Sequence, residues 1–183
     1  IIRLNDFDLL KVVHPTVKLD KFFIALLNSI KKVLSWHDLL FLEESYMKWS
    51  VYFMGMIRAC DRETTRDICR RFELPPRVQA LFTKGRFAAE RRLNSLEIKL
   101  PSENSRLYRN LVEFRIEQIL YMMAAAKREA VRKAISHYCV HLRFIDPFLK
   151  GQDLKELGLP PGPRYRRILD DLLNARLNGR VES

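Results

Sequence analysis

The sequence predicts an all-α fold, a multi-helix array that forms a body and is followed by a small C-terminal helical hairpin. Apolar residues recur three and four positions apart along nearly the whole chain, which is typical of helices with one buried face. Only six of the 183 residues are glycine, and the content of 48% hydrophobic and 30% charged residues is that of a folded protein. Asp146-Pro147 marks a break, so we expect a body of residues 1–145 and a tail of residues 146–183.

Capping residues and prolines set the predicted bounds of the first helices. A helix at about Asp6 to Val13 should end before Pro15, because the residue before a proline avoids the helical conformation. Asp20 is then predicted to cap a second helix, which runs to about Trp36.

The next predicted helix is strongly apolar. It begins at Asp38 and is apolar nearly all round, which favours a central and buried position. Its aromatic and methionine side chains are assigned to the core: Tyr46, Trp49, Tyr52, Phe53, Met54 and Met56. The other body helices are predicted at about Asp61–Phe72, Pro75–Leu96, Glu103–Val112, Glu113–Ala124 and Lys127–Leu142. Asp61 is predicted to cap the first of these helices.

The tail is predicted to begin with a short helix. Gly151 stands just outside this helix, and Leu154, Leu157 and Leu159 fit one buried side. Gly158 is the stop signal, because a helix commonly ends on a residue in the left-handed conformation that glycine adopts without strain.

A second tail helix follows a proline-rich turn. Gly162 is predicted at its N-cap and Pro163 at its first position, where a missing N–H costs nothing. The helix should end near Asn178-Gly179. Its predicted buried stripe consists of Tyr165, Ile168, Leu169, Leu172 and Leu173.

Three arginines lie in the first turn of that second tail helix. Arg164, Arg166 and Arg167 lie beside unpaired backbone N–H groups and the positive end of the helix dipole. A phosphate would relieve this repulsion by accepting hydrogen bonds from the amides and the guanidinium groups. Gly162 would let a nucleic-acid backbone approach closely. This local pattern leaves the alternative open, an ordinary helical hairpin with solvated arginines.

The charge of the chain favours a polyanionic partner. The net charge is +11 and the pI is about 9.8. Arg66 and Arg70 share one helical face, one turn apart. The basic residues fall into three groups that could form a continuous track: Arg62, Arg66, Arg70, Arg71 and Arg77 followed by Lys84, Arg86, Arg91 and Arg92; Lys127, Arg128, Arg132 and Lys133; and Arg143 with Lys150.

The sequence also indicates the compartment. No apolar run reaches the roughly twenty residues that span a bilayer, and no signal peptide is visible. Cys60, Cys69 and Cys139 are isolated in spacing and do not form a disulfide framework, so we expect buried thiols in a reducing cytosol. We therefore expect a cytoplasmic protein that does not contact a membrane.

Several short motifs of the tail resemble the C-terminal signature of bacterial tRNA nucleotidyltransferases of the poly(A) polymerase family. The matching residues are Gly151-Gln152-Asp153-Leu154, Gly158, Pro161-Gly162-Pro163, Ile168-Leu169 and Asn178-Gly179-Arg180-Val181. The segments from Asp8 to Pro15 and from Leu107 to Leu111 resemble helices of the family's body. Gln152 and Tyr165-Arg166 depart from the pattern, which has a lysine and an aliphatic-glycine pair at these positions.

The resemblance implies a function for the chain. The family's catalytic head adds nucleotides to the tRNA 3′ end, in CCA-adding or A-adding enzymes, from CTP or ATP with Mg²⁺. The head's glycine-rich turn followed by an Asp-x-Asp metal pair is not found here, so we expect the head to lie outside this chain and the chain to hold no catalytic residue, metal ligand or cofactor. The expected partners are tRNA or another structured RNA and the protein's own head. The residues expected to bind RNA phosphates are Lys150, Gly162, Arg164, Arg166, Arg167, Arg66, Arg70 and Arg132.

Two other functions stay open at this point. The tail turn also resembles a helix-hairpin-helix, a motif that binds the backbone of duplex DNA. Alternatively, the chain is a protein-interaction or oligomerisation domain whose arginines bind an acidic partner. Three possible metal sites are rejected. Asp6 and Asp8 lack a glycine-rich turn, His37-Asp38 lacks the further ligands of a phosphohydrolase, and His137 with His141 lacks two more zinc ligands.

Overall fold

The predicted all-α fold is confirmed by the structure, a computed structural model that describes residues 10–15, 17, 20–159 and 162–181. Within those ranges no residue forms a β-strand. The helices are α1 Leu10–Val13, α2 Lys21–Asp38, α3 Lys48–Met56, α4 Arg62–Arg71, α5 Pro76–Ala80, α6 Arg86–Ile98, α7 Asn104–Leu111, α8 Ile116–Ala125, α9 Glu129–Val140, α10 Gly151–Glu156 and α11 Pro163–Leu177. A π-helical segment, Leu81–Gly85, joins α5 to α6, and a 3₁₀ turn, Leu142–Phe144, follows α9.

The two predicted aspartate caps of the body are confirmed. A side-chain oxygen of Asp20 accepts a hydrogen bond from Phe23 N at 2.6 Å, and one of Asp61 accepts from Thr64 N at 2.8 Å. These bonds to the charged form hold the pKa of both carboxyl groups below the usual value. The predicted start of the first helix at Asp6 lies outside the described residues.

The predicted helix from Asp38 is wrong in its first half. Asp38 is the last residue of α2, and α3 begins only at Lys48. The Asp38 carboxylate accepts hydrogen bonds from Tyr46 Oη at 2.9 Å and Lys48 Nζ at 2.7 Å, so it fastens the connecting loop instead of capping a helix. Met54 and Met56 are buried as predicted, whereas Trp49 is 47% exposed.

The central helix is α8, rather than the predicted Asp38 helix. Every residue from Ile116 to Ala124 is buried, and α8 packs against α2, α3, α6 and α9. It begins three residues later than predicted because residues 113–115 form a turn, in which Phe114 N donates to Leu111 O. The interior of the body is therefore built around one helix that neighbours contact from several sides.

The second half of the body otherwise follows the prediction. The α5–α6 region spans 76–98 as one nearly continuous helix, but the sequence did not predict the π-helical segment inside it. All three cysteines are buried, and burial raises the pKa of the Cys139 thiol to about 12. None of the described helices is both long enough and apolar enough to cross a membrane.

The two tail helices are α10 and α11. Gly151 is the first residue inside α10 and Lys150 is its N-cap, so the predicted place of Gly151 outside the helix is wrong. Leu154 is buried, but Leu157 is 68% exposed and Leu159 is 39% exposed, because α10 ends at Glu156 and the chain leaves the helical face there. Gly158 has φ +78°, which confirms the predicted left-handed stop.

Helix α11 begins as predicted, with Gly162 at the N-cap and Pro163 at the first position. Its stripe of Tyr165, Ile168, Leu169, Leu172 and Leu173 is only half-buried. Leu177, at its end, is 2% exposed and belongs to the core of the body. Asn178 accepts a hydrogen bond from Ser105 N at 2.9 Å and donates one to Ser105 Oγ at 3.1 Å, so the end of α11 is fastened to the start of α7. The division at residue 145 stays a prediction.

A candidate nucleic-acid interface

A groove of about 650 Å³ lies where α11 packs against α7. Arg109 of α7 faces it from one side, and Arg166 and Arg167 of α11 face it from the other. The remaining lining residues are Tyr108, Val112, Pro163, Asp170, Asp171, Leu173 and Asn174. We call this surface the α7/α11 groove.

The three arginines of the groove are exposed, and none of them is paired with a carboxylate of a described residue. Within the described ranges, Arg109, Arg166 and Arg167 take part in no ion pair, although the carboxylates of Asp170 and Asp171 line the same groove. Pro163 places the positive end of the α11 dipole at the groove as well. The groove therefore presents three guanidinium groups that a ligand with several acceptor oxygens can bind.

Only some of the tail residues that were predicted to bind phosphate lie together in the structure. Arg166 and Arg167 meet at the groove, whereas Arg164 is exposed beside them and does not line it. Lys150 lies at the other end of the hairpin, where its backbone N donates to Asp153 Oδ2 at 2.6 Å. Gly162 is exposed, with the extended backbone that any residue adopts, and among the described residues no atom lies within 4 Å of where its Cβ would be.

Tyr165 is the residue that holds the tail hairpin closed. Its hydroxyl donates to Leu159 O at 2.5 Å, and a Cβ placed on Gly151 would lie 3.9 Å from its ring. The departure from the family's pattern at Tyr165 is thus accommodated by packing between the two tail helices.

The other predicted phosphate ligands lie away from the groove. Arg66 and Arg70 share an exposed face of α4, and Arg70 lies 3.5 Å from the Asp67 carboxylate. Arg132 is engaged near the end of α8, where it donates to Ala126 O and pairs with Glu129, each at 3.2 Å. A role of these three residues in binding stays a prediction.

Arg86, which the sequence analysis placed in a basic track, is inside the protein. Its side chain is fully buried and donates to Cys60 O at 2.7 Å, to Glu90 Oε1 at 2.7 Å and to Arg58 O at 3.2 Å. The guanidinium also lies 3.9 Å from the centre of the Phe87 ring. Arg86 is therefore part of the interior and cannot reach a polyanion.

Arg109 is the groove residue that the sequence analysis missed. It lies on α7, more than fifty positions before Arg166, and only the packing of α11 against α7 brings the two helices together. No local pattern around Arg109 signals this, because nothing in the sequence states which helix pairs with which.

The histidines lie outside the groove. His37 is buried with its ring 4.9 Å from that of Tyr46, and burial together with the charge of Arg143 lowers its pKa. The rings of His137 and His141 lie 5.0 Å apart, with His137 exposed on α9 and His141 exposed at the C-cap of that helix. No group of three or more potential metal-ligating side chains occurs in the part of the chain that the structure describes.

Sequence comparison finds a relative among the tRNA nucleotidyltransferases. No protein-family model matches the chain. The chain is 35% identical over 183 residues to an A-adding tRNA nucleotidyltransferase of Geobacter sulfurreducens (strain ATCC 51573 / DSM 12127 / PCA). The match covers 98% of this chain and 21% of the relative.

Solved structures share the fold. A tRNA-processing enzyme complex superimposes with a TM-score of 0.78 at 22% identity, and a tRNA-processing enzyme with CTP gives 0.76 at 19% identity. Each match covers 96% of this chain and 45% of the solved chain. The chain thus spans less than half the length of the proteins it matches. These similarities to parts of longer enzymes confirm the resemblance that the sequence predicted, to the C-terminal region of a tRNA nucleotidyltransferase.

Proposed function

We propose that this chain is the RNA-binding region of a tRNA nucleotidyltransferase and that the α7/α11 groove binds phosphates of the tRNA. The observation that carries the proposal is that Arg109, Arg166 and Arg167 meet in one groove and form no ion pair with any residue that the structure describes. The name of the Geobacter relative supplies the class of substrate, and the net charge of +11 supplies long-range attraction.

The chemistry of the groove suits the backbone of an RNA duplex. Guanidinium groups bind phosphate oxygens through paired hydrogen bonds, and such contacts carry no information about base sequence. A-form RNA is recognised mostly through its backbone and its 2′-hydroxyl groups. The groove would therefore hold tRNA by shape and charge, which suits a protein that has many tRNA sequences as substrates.

The catalytic chemistry is assigned to the rest of the longer protein. We propose that a catalytic head on the same polypeptide adds the nucleotide, using CTP or ATP and Mg²⁺, in the cytoplasm. Whether the longer protein adds CCA, only A or, as a poly(A) polymerase, a longer tail depends on that head; the Geobacter relative is A-adding. The residues of this chain would bind the tRNA substrate.

A salt titration of tRNA binding tests the proposal. The variant Arg109→Gln, Arg166→Gln, Arg167→Gln should lower the slope of log affinity against log salt by about two to three units, because each lost phosphate contact in a duplex removes about 0.9. The matched control is Lys31→Gln, Lys32→Gln, Lys99→Gln, which makes the same change in net charge at exposed lysines outside the groove. An unchanged slope in the groove variant would contradict the proposed function.

The two alternative functions give different outcomes in the same assay. A helix-hairpin-helix module would bind duplex DNA of similar length as tightly as tRNA. For a protein-interaction domain, any binding of tRNA or duplex DNA would have a salt slope that the groove variant leaves unchanged. We expect tRNA to bind more tightly than duplex DNA.

A further inference from the structure

A second concave basic surface lies beside the π-helical segment. It encloses about 360 Å³ and is lined by Arg77 of α5, Lys84 of the π-helical segment and Arg115 at the N-cap of α8. We call it the π pocket. A π-helical turn within an α-helix is rare and is frequently found at functional sites.

Gln118 fixes the geometry of the π pocket. Its side-chain Nε2 donates to Gly85 O at 2.8 Å, and its Oε1 accepts from Arg115 N at 3.0 Å. A Cβ on Gly85 would lie 2.9 Å from that Nε2, so the bond needs a glycine at this position. Gln118 is itself 6% exposed. The start of α8, which carries Arg115, is thereby held against the segment that carries Lys84.

The cations of the π pocket are not paired with carboxylates of the part of the chain that the structure describes. Within the described ranges, Arg77, Lys84 and Arg115 form no ion pair, and the one acidic residue in the lining is Glu113. Other arginines of the body are paired, for example Arg58 with Asp20 at 2.6 Å. Three like charges held around one concavity repel each other, and an anion bound there relieves that repulsion.

The π pocket and the α7/α11 groove lie on either side of one short turn. Val112 lines the groove, and the residues that follow it, Glu113 to Arg115, line the pocket. The Cα atoms of Val112 and Arg115 are at most about 11 Å apart, because consecutive Cα atoms are about 3.8 Å apart. Phe114 is part of the pocket lining, and the Arg92 guanidinium lies 6.0 Å from its ring centre.

From this arrangement we propose that the π pocket is a second phosphate-binding site for the same RNA backbone that the α7/α11 groove binds. This inference rests on the proposed function and adds a site to it. Arg77, Lys84 and Arg115 supply the charge, and Gln118 with Gly85 supplies the fixed spacing. An RNA strand held in the groove continues past the turn into the pocket, so the two sites bind one ligand together.

The test uses a tRNA transcript as the probe and the same salt titration. The variant Arg77→Gln, Lys84→Gln, Arg115→Gln should weaken binding roughly tenfold at about 0.1 M salt and lower the slope by about one unit, the loss of one phosphate contact. The lysine control, Lys31→Gln, Lys32→Gln, Lys99→Gln, should change the slope by much less. A second variant, Gly85→Ala, keeps the net charge but displaces the Gln118 amide, and should also weaken binding.

The outcomes separate this inference from the proposed function. If the groove variant flattens the slope and the pocket variant behaves like the lysine control, the π pocket is not a site and the proposed function stands. If neither variant differs from the lysine control, both proposals fall. The π pocket is supported as a binding site if two results are obtained together. The pocket variant lowers the salt slope, and Gly85→Ala weakens tRNA binding with no loss of thermal stability.

Discussion

Arg86 and the arginines of the α7/α11 groove carry the same charge in opposite surroundings. The Arg86 guanidinium is buried and is surrounded by acceptors of the protein itself, among them Cys60 O and the Glu90 carboxylate. Arg109 and Arg166 are exposed and face a groove in which they have no carboxylate partner. The comparison teaches that an arginine is structural where the fold supplies its acceptors, and available for binding where a ligand must supply them.

The largest expected effect comes from removing the buried charge. Arg86→Met should lower the free energy of unfolding by about 3–5 kcal/mol, because two backbone carbonyls lose their donor and Glu90, which still accepts a bond from the Tyr121 hydroxyl, loses its cationic partner. Urea denaturation measures this. The control Arg91→Met, on the exposed side of the same helix, should change stability by about 0.5 kcal/mol or less. The folded Arg86 variant should bind tRNA as before; weaker binding would contradict a purely structural role of Arg86.

A smaller effect is expected where the tail helix meets the body. Asn178→Ala removes the acceptor of Ser105 N, a group in a buried residue, and should destabilise the protein by about 1–3 kcal/mol. Because that bond also fastens one wall of the groove, tRNA binding should weaken too, unlike in the Arg86 variant. Asn94→Ala, at an exposed position of α6, is the matched control for both denaturation and binding.

The acidic residues of the groove allow a test with the opposite sign. Asp170→Asn with Asp171→Asn removes two negative charges beside the arginines and should tighten tRNA binding about threefold to tenfold, because repulsion of the phosphates is reduced. Glu43→Gln with Glu63→Gln makes the same charge change at exposed positions outside the groove. Equal tightening in the two double variants would show that net charge, rather than the groove, determines affinity.

The smallest expected effect is a pH dependence of the free energy of unfolding. It comes from a buried histidine and not from the arginines of the groove. Burial lowers the pKa of His37 in the folded state below the value of about 6.5 that it has in the unfolded chain. As pH falls through 6.5 towards the folded pKa, the unfolded state takes up the proton first, so stability is lost in that window and is fully present above it. Denaturation of wild type and His37→Phe at several pH values should show a shallower decline in the variant. His137, whose pKa is also lowered, contributes in the same direction, and His137→Gln serves as the comparison.

The features that the sequence predicted correctly are those that neighbouring residues determine. Asp20 and Asp61 cap helices because each accepts a bond from an amide three positions later, and Gly158 ends a helix because its own backbone adopts the left-handed conformation. Asp38 has the same chemistry as these caps, yet its carboxylate binds Tyr46 and Lys48 across a loop. The choice between a cap and a loop contact depends on tertiary packing.

The candidate site was predictable only in part for the same reason. The arginines in the first turn of α11 were visible in the sequence, and two of the three line the groove. Arg109 depends on the pairing of α7 with α11, and the burial of Arg86 depends on carbonyls 26 and 28 positions earlier. The number of basic residues in the sequence therefore predicts a positively charged protein. It does not show which of these side chains are exposed and free to bind a ligand.

The bonds of Arg86 also bear on how the chain acquires its structure. A guanidinium is costly to remove from water until acceptors replace its hydration. Those acceptors come from the turn after α3, from Thr65 of α4 and from the next turn of α6, so none of these segments completes the set alone. We expect the segments from 58 to 90 to fold as one cooperative unit, whose amides open to hydrogen exchange together rather than helix by helix.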